Sequence, residues 1–170
     1  MIRAWPIAGV LLALLVSTAS AGLKFGESAP SFSLSDRKGT IFTLSNVVGQ
    51  SGENKVRGVS LTFFASWCGI CRKDLPLINA LVSEYASKGI KVVIIDVKET
   101  NEVVSALLTA LKVDKPVVLG DHDGAVADRY GVRFLPTTYF LDAEGKIRDV
   151  ILGGMRDSSE FKKGAETLLK

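Results

Sequence analysis

A chain of 170 residues, 47% hydrophobic and 23% charged, is long enough for one domain with a sizeable core and needs no cross-link to fold. Its formal charge of +3 is spread along the chain with no Lys/Arg block and no interleaved aromatics, which excludes a nucleic-acid footprint and reads as an ordinary solvated surface. Two cysteines and one histidine fall short of the four ligands of a structural zinc site, so no metal is expected.

Residues 1–21, MIRAWPIAGVLLALLVSTASA, carry one charge at Arg3, an apolar stretch over 7–16, and small residues at Ala19 and Ala21. That pattern predicts a secretory signal peptide cut before Gly22. Left uncut, the segment is nearly long enough to serve as a membrane anchor. No Cys lies near the cut, which argues against a lipoprotein anchor. The domain, residues 22–170, is therefore expected to be periplasmic or otherwise extracytoplasmic, where dithiols tend to be oxidised unless something reduces them.

Phe32 and Leu34 alternate with serines, 36–39 has turn chemistry, and Ile41 to Leu44 follow, so a β-hairpin is predicted. The polar, glycine-rich stretch 49–58 reads as a loop. VSLTFFA, 59–65, is a short apolar run fitting a buried strand. A helix is predicted to begin at Cys68, with Ile78, Leu81, Val82 and Tyr85 at helical spacing and Gly89 ending it. IKVVIIDV, 90–97, is a second buried strand, followed by a helix over 101–112 with Val103, Val104, Leu107, Leu108 and Leu111 on one face.

PVVLG is a short extended segment, and 125–131 is a short helix ending at a glycine. Two strands then flank the turn Ala143-Glu144-Gly145. Asp157-Ser158-Ser159-Glu160 has the form of a capping box opening a last helix. Strands alternating with helices indicate an α/β sandwich with a mixed central sheet.

The chemistry centres on SWCGIC, which holds both cysteines, Cys68 and Cys71. Such a pair can be a redox couple, half a metal site, a haem attachment point or a structural staple. Haem attachment requires His after the second Cys, and Arg72 stands there. A staple closing so short a loop constrains the unfolded chain little. At the start of a helix, unpaired amides and the helix dipole stabilise a thiolate. Cys68 is thus the expected nucleophile, and Cys71, one turn on, can attack a mixed disulfide formed at Cys68.

FFASWCGICRKDLP resembles the active site of thioredoxin-like proteins, and the wider pattern is similar to the exported TlpA/ResA-like thiol-disulfide oxidoreductases. GESAPSFSLSDRKGTIFTLS resembles that family's opening segment, and YGVRFLPTTYFLDAEGKI resembles its Tyr-Gly-Val…Pro-Thr-Thr segment. The resemblance implies a three-layer α/β/α thioredoxin-like sandwich, with a mixed central sheet and an N-terminal β-hairpin extension. It implies that Trp67 shields one side of Cys68, that Pro76 kinks the helix, and that Pro136 is a cis-proline facing the disulfide. Leu135 would then offer backbone groups to an extended substrate segment.

Asp74 stands where the family commonly has an acid, able to exchange a proton with Cys71. The alternative is a solvated helix-surface carboxylate. Glu99 stands in a loop where some relatives carry an acid and would line the site, against a plain surface loop. The resemblance further implies disulfide-bearing protein substrates, re-reduction by a membrane thiol donor of the DsbD/CcdA kind, no bound cofactor, and a monomer.

The sequence also departs from the pattern. Gly69-Ile70 lies between the cysteines, where a proline usually takes the second place. Thr62 replaces the buried Asp of thioredoxins proper, and Thr137 replaces a Glu frequent in relatives devoted to cytochrome c maturation, so that role is left open. A thiol peroxidase would need Pro and Thr where Leu61 and Ala65 stand. A non-catalytic module holding clients in the groove by Pro136 is a further alternative. His122 reads as an exposed loop histidine, and Asp121 and Asp123 as a turn and helix start.

Overall fold

The computed structural model describes residues 22–49 and 56–170. The predicted signal peptide at 1–21 and the middle of the predicted loop, 50–55, lie outside the described residues. Among the described residues no helix is long and apolar enough to cross a membrane.

Strands β1 (Ser33–Ser35) and β2 (Ile41–Thr43) form the expected antiparallel hairpin, with Leu34 opposite Phe42. Its turn is held by Asp36, whose Oδ1 accepts the N–H groups of Lys38 and Thr40 at 2.8 Å each. Strands β3 (Gly58–Phe64) and β4 (Ile90–Val97) carry the continuous apolar runs because both faces of each are covered. They lie side by side and parallel, and β5 (Val117–Asp121) continues the parallel part beyond β4. On the other side of β3, β6 (Thr137–Asp142) and β7 (Ile147–Leu152) run antiparallel, giving the order β5-β4-β3-β6-β7.

Alternation along the strands splits the core in two. Phe64, Val92, Ile94, Val118 and Phe140 face a cluster that includes helices α1 (Cys71–Ser87), α2 (Asn101–Ala110) and α4 (Ser158–Glu166). Helix α4 comes so close that a Cβ on Gly164 would lie 2.3 Å from the Phe140 ring. Leu61, Phe63, Val93, Ile95 and Leu119 face the hairpin segment and α3 (Ala125–Arg129). There Phe32, Phe63, Tyr130 and Tyr139 form edge-on and tilted ring contacts at 5.4–6.2 Å. The result is the three-layer thioredoxin-like sandwich with its hairpin extension.

Residues 26–36 run across the sheet like a belt. Gly26 N–H donates to Ile147 O at one edge strand, and Ile147 N–H donates back to Glu27 O. At the other edge, Asp36 bridges to Leu119 of β5.

Two details differ from expectation. Helix α1 begins at Cys71, not Cys68. The Cys68 N–H turns back to Ala65 O at 3.2 Å, so the chain makes a turn before regular bonding starts, although Cys68 O accepts the Arg72 N–H at 3.2 Å. The cap of α4 is also not a reciprocal box. Asp157 Oδ1 accepts the Ser159 N–H at 2.7 Å, but Glu160 Oε1 takes the N–H of Arg156, one residue before the cap.

Candidate active site

Parallel strands end on the same side of a sheet, so the segments after β3, β4 and β5 converge. Phe64 pairs with Asp96 and Val97 with Asp121, which brings together the residues that follow them: Cys68, Glu99 and His122. Strand β6 starts at this same end, with Thr137 opposite Phe63, and delivers Leu135 and Pro136 to it. The Leu135–Pro136 peptide bond is cis.

Cys68 and Cys71 are joined as a disulfide, with Cα atoms 5.3 Å apart. Cys71 is fully buried and Cys68 is 7% exposed. The Cys71 N–H donates to Cys68 Sγ at 3.2 Å, and the Leu135 carbonyl oxygen lies 3.6 Å from the same sulfur. The helix start thus supplies an amide to the first sulfur even though regular helix begins at the second. Reduced, Cys68 could place its S–H against the Leu135 carbonyl; ionised, it keeps the Cys71 amide.

Trp67 adjoins Cys68 in the chain but is 74% exposed, standing out into solvent. Ile70 and Phe134 are also exposed. Pro76 lies inside α1, where it has no N–H for the Arg72 carbonyl.

Asp74 is not the solvated surface carboxylate that its helix position allowed. It is 2% exposed, and its Oδ2 accepts the Met155 N–H at 3.0 Å from the segment after β7. Burial pushes its carboxyl above the ordinary range; the Met155 bond opposes this and the Glu160 charge adds to it.

Glu99 reaches the start of the disulfide turn. Its carboxylate accepts the Ser66 N–H at 2.6 Å and the Ser66 hydroxyl at 2.5 Å. Lys98, at φ 63°, turns the chain to bring it there, with its own N–H bonded to Asp121 O at 3.0 Å. Glu99, expected to line the site, braces the segment leading into Cys68.

Several contributors were not singled out beforehand. Ser66 and Met155 supply the backbone partners of the two acids. Asp96 is 1% exposed, its Oδ1 has no partner among the described residues, and burial pushes its carboxyl up to about 6 despite the charge of His122. A carboxylate inside the apolar run IKVVIIDV is the one signal that marked it. His122 is exposed, as expected, and its Nδ1 lies 2.6 Å from the Glu99 carbonyl oxygen; a carbonyl only accepts, so that nitrogen bears the hydrogen. Asp121 accepts the N–H groups of Val126 and Ala127 at 3.1 and 2.8 Å, and Asp123 that of Ala125 at 2.9 Å, the expected helix-start role. In place of the buried acid of thioredoxins, Thr62 Oγ1 shares a buried hydrogen bond with Thr138 Oγ1 at 3.0 Å. Among the described residues no group of three or more His, Cys, Asp or Glu is arranged to hold a metal ion.

The family model described as AhpC/TSA matches residues 25–150. Over 133 residues the chain is 35% identical to the thiol-disulfide oxidoreductase ResA of Bacillus subtilis, covering 78% of this chain and 70% of the relative. Over 151 residues it is 31% identical to the ResA of Geobacillus thermodenitrificans, covering 89% and 82%. Among solved structures, one proposed to be a thiol:disulfide interchange protein DsbE, from Chlorobium tepidum, superposes with a TM-score of 0.76. It is 27% identical, and the match covers 88% of this chain and all of that one.

Proposed function

The chain belongs to the AhpC/TSA family and is within it a ResA-like thiol-disulfide oxidoreductase with a CxxC pair, and from that premise we propose that it works outside the cytoplasm as a reductant of protein disulfides. One observation carries the chemical reading: Cys68 Sγ receives an amide from the helix start and faces the Leu135 carbonyl, while its partner Cys71 is fully buried behind it.

The reaction follows from that asymmetry. In the dithiol form, the Cys68 thiolate attacks a client disulfide, and one client sulfur leaves as a thiolate. The other client sulfur is now bonded to Cys68. Asp74, one turn past Cys71, takes the proton of the Cys71 thiol. The Cys71 thiolate then attacks Cys68 Sγ, the Cys68–Cys71 bond forms, and the second client sulfur leaves. Two electrons have passed to the client, whose two sulfurs take up protons. A membrane thiol donor must restore the dithiol, since no free reductant is assured outside the cytoplasm. Leu135 and Pro136 present backbone to an extended client segment, and exposed Trp67 offers it an apolar contact. No bound cofactor and no second subunit enter these steps. The apolar leader at 1–21 with its small-residue cut site supports export.

A Cys71→Ser chain expressed with its leader tests this directly. It should accumulate outside the cytoplasm and hold disulfide-bearing clients as mixed disulfides through Cys68. Retention in the cytoplasm would overturn the location. A Cys68→Ser chain that still reduced insulin would overturn the mechanism.

A further inference from the structure

Two glycines follow β7 for different reasons. Gly153 has φ +85°, and a Cβ on it would meet nothing within 4 Å, so backbone conformation requires it. Gly154 has no such φ. A Cβ on it would lie 2.0 Å from Ile70 Cγ2 and 3.6 Å from Asp74 Oδ2, so space requires it. Ile70 therefore rests on the backbone of Gly154, and Gly154 lies against the carboxyl of Asp74. The next residue, Met155, donates its N–H to that carboxyl. Ile70 is 52% exposed, yet Asp74, in the first turn of the same helix, is 2% exposed.

We propose that Ile70 and Gly154 are positioning residues that close over Asp74 and keep water from its carboxyl, so that Asp74 rather than solvent takes the Cys71 proton during client release. The proposal rests on the reading of Asp74 as the proton partner of Cys71. It gives the departure at Ile70 a specific role: a branched side chain extends from the disulfide turn to the segment after β7. The groups acting on Asp74 are the Met155 N–H and Glu160 of α4, whose carboxylate is bound to Arg156 at 3.0 Å; Cys71 lies three residues before it on the same helix. Burial is the largest cause of the upward push on the Asp74 carboxyl, so uncovering it should let that carboxyl ionise at lower pH.

In the step concerned, the Asp74 carboxylate takes the Cys71 proton and the Cys71–Cys68 bond forms as the Cys68–client bond breaks. The electron pair leaves on the client sulfur, which is protonated by water. Release therefore requires ionised Asp74 and slows as pH falls through its titration.

The test uses the full chain, with Cys68 preloaded as a mixed disulfide with a cysteine-containing peptide, and follows peptide release in a single turnover from about pH 4 to 8. Ile70→Ala should move the acid limb to lower pH and slow the plateau roughly threefold to tenfold, because a weaker base accepts the proton less readily. Ile70→Val, which keeps Cγ2, should retain the wild-type profile. Gly154→Ala, which pushes Ile70 away, should follow Ile70→Ala. A wild-type profile in Ile70→Ala, beside an Asp74→Asn chain that has lost the acid limb, overturns the proposal. An acid limb that survives in Asp74→Asn overturns instead the reading of Asp74 on which it rests.

Discussion

Asp74 and Glu99 both flank the disulfide turn, and the fold treats them in opposite ways. Glu99 comes from the segment after β4 and gives its carboxylate to two donors of Ser66, two residues ahead of Cys68. Asp74 comes from the first turn of α1, is almost wholly buried, and among the described residues accepts one backbone N–H, from Met155. A carboxylate that accepts two short bonds from one residue is a brace: it holds a backbone in place. A carboxyl that is buried and thinly bonded is poised to take a proton. In the proposed mechanism the same functional group thus serves position on one side of the cysteines and proton transfer on the other, and the number of donors it meets decides which.

Replacing each acid separates these roles. Asp74→Asn carries the largest expected effect: release of a client from Cys68 should slow about a hundredfold, while the first attack on a client disulfide stays near its wild-type rate. Equal loss in both steps, measured by rapid mixing, would erase the distinction. Glu99→Ala should act on the other step. With the Ser66 N–H and hydroxyl left without their acceptor, the Cys68 turn loosens, attack slows about tenfold, and stability drops by about 1–3 kcal/mol in urea melts. A chain losing stability but keeping the full attack rate would reduce Glu99 to scaffolding.

Asp96 sharpens the comparison with the smallest effect on rate. It is buried like Asp74 but lies at the end of β4, next to Glu99 and His122 rather than the sulfurs. Its folded value, about 6, lies above the ordinary 3.8. A group raised on folding stabilises fully below its unfolded value and loses that contribution as pH rises through the folded one. Wild-type stability should therefore decline between about pH 4 and 6, by on the order of 2–3 kcal/mol. Asp96→Asn should remove that decline and leave turnover within about twofold of wild type. Thermal melts across the pH range, paired with rate measurements, check both halves.

Much of this was legible in the chain, and the unread part has a common physical cause. The runs VSLTFFA and IKVVIIDV announced central strands because burial on both faces removes alternation. The spacing of Ile78, Leu81 and Tyr85 announced the inner face of α1, and all three are buried. The cysteine pair announced its chemistry through its place between strand and helix. What escaped was set by contacts between distant segments. Asp74 is buried by a segment 81 residues further on, and Glu99 meets Ser66 across 33 residues. No local pattern encodes either meeting. The start of α1 shifted from Cys68 to Cys71 because the Cys68 N–H found its partner backwards, at Ala65. Propensity does not register such a turn.

The belt formed by residues 26–36 has a consequence apart from redox chemistry. Every open sheet has two outer strands whose free N–H and C=O groups invite a second chain to add on. Here one short stretch occupies part of both rims, at Ile147 and at Leu119, while Arg148 and Asp149 place charge along the remainder of β7. A thiol-disulfide oxidoreductase that meets other protein chains thereby carries its own guard against being extended by their strands.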